Sequence, residues 1–351
     1  MQKTNLKFKW ALVRDWGGRK WIFLKCLYRI HVKRKKSFYL PDQRGELPIR
    51  VLKRTFEFWL KTVNPKFFRT LVDQIRTNGL NPEIDYDDQR IPILYNGRAY
   101  IAEITAADHQ IHLYDTFSAY LWCICYSMVV LFDEVIQKPH LRGNYTGQID
   151  RGNEQVNSAL GIFEFGMTLR TRYRDWPLEI PNPEEYGCLH AYYIEKTSGL
   201  YLAALQFIFC HEVAHNLFNH IGYVPATAIQ SLADELAADN FAIDQILLPE
   251  GSRFSRTYKH GAVAAMCSLL FLSPNLYRAG RYPDAHDRIN NIIGRLGLED
   301  RDNIWGMASL AFRMWGMYYH IDFHTPPVIE TYMDLFVDIL ATLNELNRPN
   351  F

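Results

Sequence analysis

These 351 residues contain no C-x-x-C pair, no internal repeat, no low-complexity tract and no clean run of the roughly 20 apolar residues that a spanning helix requires. Each absence removes a class. Six scattered cysteines (Cys26, Cys123, Cys125, Cys188, Cys210, Cys267) form no disulfide framework and no cysteine metal pair. They read as buried thiols of a reducing, cytoplasmic compartment. The most hydrophobic segment, Phe117 to Phe132, carries Ser118 and Ser127 and runs into Asp133-Glu134. No transmembrane segment is therefore expected. The N-terminus lacks the apolar stretch and small-residue cleavage site of a secretory signal. What is present is a chain that is 48% hydrophobic and 14% aromatic, ample for a large core.

The net charge of +1 hides an uneven distribution. Residues 1–36 carry twelve Lys/Arg against Asp15 alone, whereas the rest holds 27 basic and 37 acidic residues. Trp10, Trp16, Trp21, Phe23 and Tyr28 interleave with the basic residues, and Val32 precedes Lys33-Arg34-Lys35-Lys36. Nucleic acid or a nucleoprotein, an anionic membrane surface, or the acidic remainder of the chain are the partners such a segment suits. Residues 1–45 are read as a basic N-terminal segment and 46–351 as the main domain.

The chemistry concentrates in His211-Glu212-Val213-Ala214-His215, an H-E-x-x-H sequence inside the apolar run from Leu200 to Phe218. Residues four apart share a helix face, so both imidazoles can address one metal ion. Glu212 stands about 100° from His211 and about 60° from His215, within reach of a water at that ion. Zinc acidifies such a water and a carboxylate takes its proton. Buried histidines and a glutamate need partners, and a metal supplies them.

A catalytic zinc usually has three protein ligands. On a continuous helix His220 points about 140° away from His215, so it is expected as a helix-end residue. A second helix is expected from about Ala228 to Leu247, and on it Glu235 and Asp239 share a face. Glu235 is the expected third ligand, with Asp234 as the alternate. Asp239 is placed one turn on to accept a hydrogen bond from a ligand histidine. Ala237, Ala238 and Ala242 would allow close packing on the first helix.

H-E-x-x-H followed by E-x-x-A-D resembles the gluzincin peptidases, in particular the CAAX and HtpX-type proteases. The run His211 to His220 is similar to the ImmA/IrrE-type peptidases and to the Lit-type phage-exclusion peptidases, the latter being the nearest in character. The resemblance covers about Leu200 to Leu247. It implies a zinc endopeptidase with His211, His215 and Glu235 as ligands and Glu212 as general base. It also implies a protein substrate such as a host translation factor, and an activating partner of phage origin. A further echo of the CAAX/HtpX pattern lies in Tyr282-Pro-Asp-Ala-His-Asp-Arg-Ile289, where Tyr282 replaces a histidine. Tyr282, His286 or Arg288 would there stabilise the oxyanion.

The remaining pattern predicts a mainly α (α+β), zincin-like helical domain with a small sheet. Helices are expected near 47–62, 65–78, 115–136, 156–174, 200–220, 255–271, 284–296, 302–319 and 327–347. Strands are expected at 91–95, 97–103 and 109–113, the first two joined by Asn96-Gly97 as a hairpin turn. A polar loop or lid is expected over 138–155. The alternative function is a non-catalytic zinc-binding regulator whose basic N-terminal region binds nucleic acid.

Overall fold

The computed structural model describes residues 47–77, 79–83, 93–95, 98–100, 104–107, 109–171, 173–184, 188–220, 227–248, 252–274, 276, 284–321, 323 and 329–346. All fall in the compact unit Gln43–Phe351. The basic segment 1–45 and Tyr282 lie outside the described residues.

The centre of the fold is α3 (Asp115–Leu131), every residue of which is buried. It is apolar all round, as a helix covered on every side must be. It follows α1 (Lys53–Thr62) and α2 (Pro65–Arg76), and continues through a π-helical turn (Phe132–Gln137) and a final turn to Leu141. Asp115–Leu141 is long and apolar enough to cross a membrane, but protein covers nearly all of it. It is the core helix of the bundle. Around it come α4 (Glu154–Leu169), α5 (Cys188–Leu217), α6 (Ala228–Ile246), α7 (Ser255–Leu270), α8 (Ala285–Arg295), α9 (Asn303–Tyr319) and α10 (Tyr332–Leu346). α3 packs on α4 and α5, α5 on α6 and α7, α8 on α7 and α6, and α9 on α7 and α10.

Buried polar contacts fix how these helices meet. Lys53 Nζ lies 2.8 Å from Asp115 Oδ1, both side chains nearly inaccessible, so the start of α1 is tied to the start of α3. Tyr193 on α5 donates its hydroxyl to Asp133 Oδ2 at 2.8 Å, and Tyr258 on α7 donates to Gln206 Oε1 at 2.6 Å. Cys123, Cys125, Cys210 and Cys267 are buried free thiols, as expected.

The sheet is small. β1 (Asn81–Glu83), β5 (Gln110–Leu113) and β4 (Ile104–Ala107) lie in the order β1-β5-β4, parallel then antiparallel. β2 (Ile93–Tyr95) pairs antiparallel with β3 (Arg98–Tyr100), Tyr95 opposite Arg98, the register of a two-residue hairpin. β1 and β4 were not anticipated. Pro82 argues against a central strand, and β1 accommodates it by standing at an edge. β4 is the other edge and packs against α5. The hairpin between β4 and β5 turns at His109, which adopts a positive φ of 62°. The His109 Nδ1 lies 2.8 Å from Asn216 Nδ2, one residue beyond the H-E-x-x-H sequence. The sheet is thereby anchored at the functional end of α5.

Several boundaries differ from expectation. α5 begins at Cys188, not near residue 200, because Tyr193 and Thr197 bury polar side chains in a stretch whose sequence reads as less apolar. Residues 48–52 form a 3-10 turn before α1, and the 115–136 helix runs on through the π turn. Residues 142–153 form the expected polar loop.

α5 and α7 approach closely at Gly261. A Cβ there would lie 2.7 Å from the Ala203 carbonyl carbon and 2.8 Å from the Ala204 nitrogen, both backbone atoms. Gly261→Ala is therefore expected to cost about 1–3 kcal/mol by overpacking, read as a lowered urea midpoint with an unchanged slope. An unchanged midpoint would show that the two helices can separate freely.

Candidate active site

α5 delivers the first three residues. Cys210, Val213 and Ala214 are buried on its inner side. The four-residue spacing then sets His211 and His215 one above the other, with their Nε2 atoms 3.0 Å apart. α6 delivers the carboxylate. Thr227 caps its N-terminus by accepting from the Gln230 N–H, while Ala238 and Ala242 are fully buried, consistent with a close approach to α5. Glu235 thus places one oxygen 3.6 Å from His211 Nε2 and the other 3.6 Å from His215 Nε2.

His211, His215 and Glu235 present one donor atom each, all within 4.8 Å of one another, and so can hold a metal ion. The donor chemistry fits zinc. Two nitrogens and an oxygen on a tetrahedral ion with bonds of about 2.0–2.1 Å stand about 3.3 Å apart, which the observed 3.0 and 3.6 Å bracket. Two imidazole nitrogens at 3.0 Å must share either a proton or a cation, since two lone pairs facing each other repel.

The outer atoms of the ligand set are equally engaged. His211 Nδ1 lies 2.9 Å from Asp239 Oδ1. The Asp239 carboxylate is fully buried, and Arg288 from α8 meets it with two parallel bonds, Nε to Oδ2 at 2.8 Å and Nη2 to Oδ1 at 2.7 Å. The third guanidinium nitrogen lies 3.2 Å from Glu235 Oε2. Burial raises the Asp239 carboxyl, but Arg288 and His211 overcome that and hold it below the ordinary range. Burial lowers the Arg288 guanidinium, while Asp239, Glu235 and Glu212 raise it beyond its usual value. His215 is pushed down to about 3, by burial and then by the charges of His211, His220 and Arg288. It is neutral at physiological pH, with a lone pair to offer. Burial also lowers His211, but the Asp239 bond and charge outweigh it and its pKa rises.

Glu212 is half-buried on α5, and its charge is felt by both His211 and Arg288. Arg288 is committed to the carboxylates of α6, a geometry suited to holding them in place. His286 is buried, with Nε2 3.6 Å from Asp287 Oδ1. With Asp284 and Asp287 it makes the other grouping among the described residues that can hold an ion.

His220 stands at the end of α5 as expected, but closer to His215 than a continuous helix would bring it. α5 does not continue past Leu217; Asn219 takes a left-handed φ of 58°. The Asn219 N–H bonds to the Asn216 carbonyl at 3.1 Å and the His220 N–H to the His215 carbonyl at 2.8 Å, a Schellman stop. The chain therefore folds back, and His220 Nδ1 sits 3.0 Å from His215 Nδ1. Its Nε2 lies 3.4 Å from Asp234 Oδ1. Asn219 is the signal that could have revealed this, asparagine being the usual substitute for glycine at a left-handed helix stop.

The family model described as Peptidase U49 matches residues 111–308, more than half of the chain and all of the site just described. The chain belongs to that family. Membership supports a proteolytic role with a protein substrate. No curated protein and no solved structure matches the chain.

Removing Arg288 strands two carboxylates in a buried site. Arg288→Met is expected to destabilise the metal-free protein by about 3–5 kcal/mol, measured by denaturant unfolding. A loss under about 1 kcal/mol would mean that the clamp carries no stability.

Proposed function

We propose that this member of the peptidase U49 family is a zinc-dependent endopeptidase of the gluzincin kind. The observation that carries the reading is the convergence of His211 Nε2, His215 Nε2 and a Glu235 oxygen on one point, with Glu212 beside them on α5. His211, His215 and Glu235 would hold the ion, which supplies a Lewis acid for the scissile carbonyl and lowers the pKa of the attacking water. Glu212 takes the proton of that water and passes it to the leaving amine nitrogen. Asp239 fixes the His211 ring with Nε2 unprotonated, and Arg288 fixes Asp239 and Glu235. The surrounding helices exclude bulk water, which strengthens each of these electrostatic contacts.

Substrate would lie extended along β4, which stands at an edge of the sheet among the described residues, beside α5. The resemblance to Lit-type peptidases points to an intracellular target such as a host translation factor, to a cytoplasmic antiphage role, and to a phage-derived trigger. The basic segment 1–36 would then contact nucleic acid or a nucleoprotein associated with the target.

Glu212→Gln is expected to retain the metal and lower cleavage by about 100-fold or more. Mapping of new N-termini in cells expressing wild type against the variant reads both the target and the loss. Equal cleavage by the two forms would exclude Glu212 as the base and, with it, this mechanism.

A further inference from the structure

We propose that His220 is a positioning residue, which orients the ligand imidazole of His215 and links it to the Asp234 carboxylate. The inference rests on the reading of His211, His215 and Glu235 as metal ligands, and it follows from counting protons along the row of rings. His211 Nδ1 faces the Asp239 carboxylate at 2.9 Å. A carboxylate only accepts, so that nitrogen carries the hydrogen and His211 Nε2 carries the lone pair. His215 Nε2 faces the same point, 3.6 Å from Glu235 and 3.0 Å from His211 Nε2. With an ion there, it too offers its lone pair, and the hydrogen of His215 must reside on Nδ1. That hydrogen points at His220 Nδ1, 3.0 Å away. Two hydrogens or two lone pairs cannot face each other at that distance, so His220 Nδ1 accepts. The remaining hydrogen of His220 is then on Nε2, directed at Asp234 Oδ1 at 3.4 Å. Gln230 Nε2 donates to the same oxygen at 2.8 Å and holds it in place.

One arrangement of hydrogens satisfies the whole row from Asp239 to Asp234. Each ligand histidine is thus backed by a carboxylate, His211 directly and His215 through His220. The Schellman stop at Asn219 is what makes the second arm: only a chain that reverses at that point can lay its next side chain against the outer edge of His215. The His215 and His220 rings pack T-shaped, with centroids 5.2 Å apart. His220 is not one of the three donors that converge on the ion site.

Zinc affinity of the full-length protein, measured by competition with a chromophoric chelator, tests the assignment. Loss of an outer partner of a ligand histidine is expected to weaken binding by about 10–100-fold, so His220→Leu should fall by that factor. His220→Gln should recover to within a few-fold of wild type. Its amide oxygen can accept from His215 Nδ1–H while its NH2 donates to Asp234. Cobalt-substituted wild type and His220→Gln should show the same ligand-field spectrum. His220→Leu binding as tightly as wild type overturns the proposal, and so does a glutamine variant as weak as the leucine one. A changed cobalt spectrum in His220→Gln would make His220 a ligand and overturns it equally. If wild type itself binds no divalent metal, the zinc reading fails first and this inference with it; tight wild-type binding with an indifferent His220 removes this inference alone.

Discussion

Asp239 is the point at which three helices become one site. Its carboxylate, wholly removed from solvent, stands 2.9 Å from His211 Nδ1 on α5 and takes a bidentate pair from Arg288 on α8 while itself belonging to α6. A buried carboxylate with no partner would cost several kcal/mol, so none of the three helices can slide without exposing that penalty. Arg288 extends the lock to Glu235 at 3.2 Å. The donor atoms of the ion site are therefore positioned by charge balance in a dry interior, and the apolar packing of α3, α5 and α7 supplies the dryness.

The arrangement has a net electrostatic logic. Glu235, Asp239 and Glu212 bring negative charge to a small volume, and Arg288 offsets only part of it. A divalent cation at the point shared by His211, His215 and Glu235 would complete the balance. β4 packs on α5 at the end where His109 holds the hairpin to Asn216.

Much of the site was legible in the sequence because helical spacing fixes relative direction. His211, His215, Glu235 and Asp239 could be paired by the four-residue rule alone, and the structure brings these four side chains together. Arg288 was singled out by its neighbourhood, but its contacts with Asp239 and Glu235 were not legible, because nothing in a one-dimensional pattern shows that α8 reaches the buried side of α6. The contact of His220 with His215 was not legible for a different reason. The 140° offset assumes a continuous helix, and one positive φ at Asn219 cancels it. The fold was legible to the same degree. Apolar periodicity marks the helices, whereas the start of α5 at Cys188 and the edge strand containing Pro82 depend on tertiary pairing that overrides local composition.

The central claim is that one zinc ion joins α5 to α6. An anomalous difference map at the zinc edge, from crystals grown with the metal, tests it most directly. The account predicts a single strong peak about 2.0–2.2 Å from His211 Nε2, His215 Nε2 and a Glu235 oxygen, with His220 and Asp239 outside bonding distance. A peak coordinated by His220 in place of Glu235, or no peak at this cluster from crystals containing zinc, would contradict it.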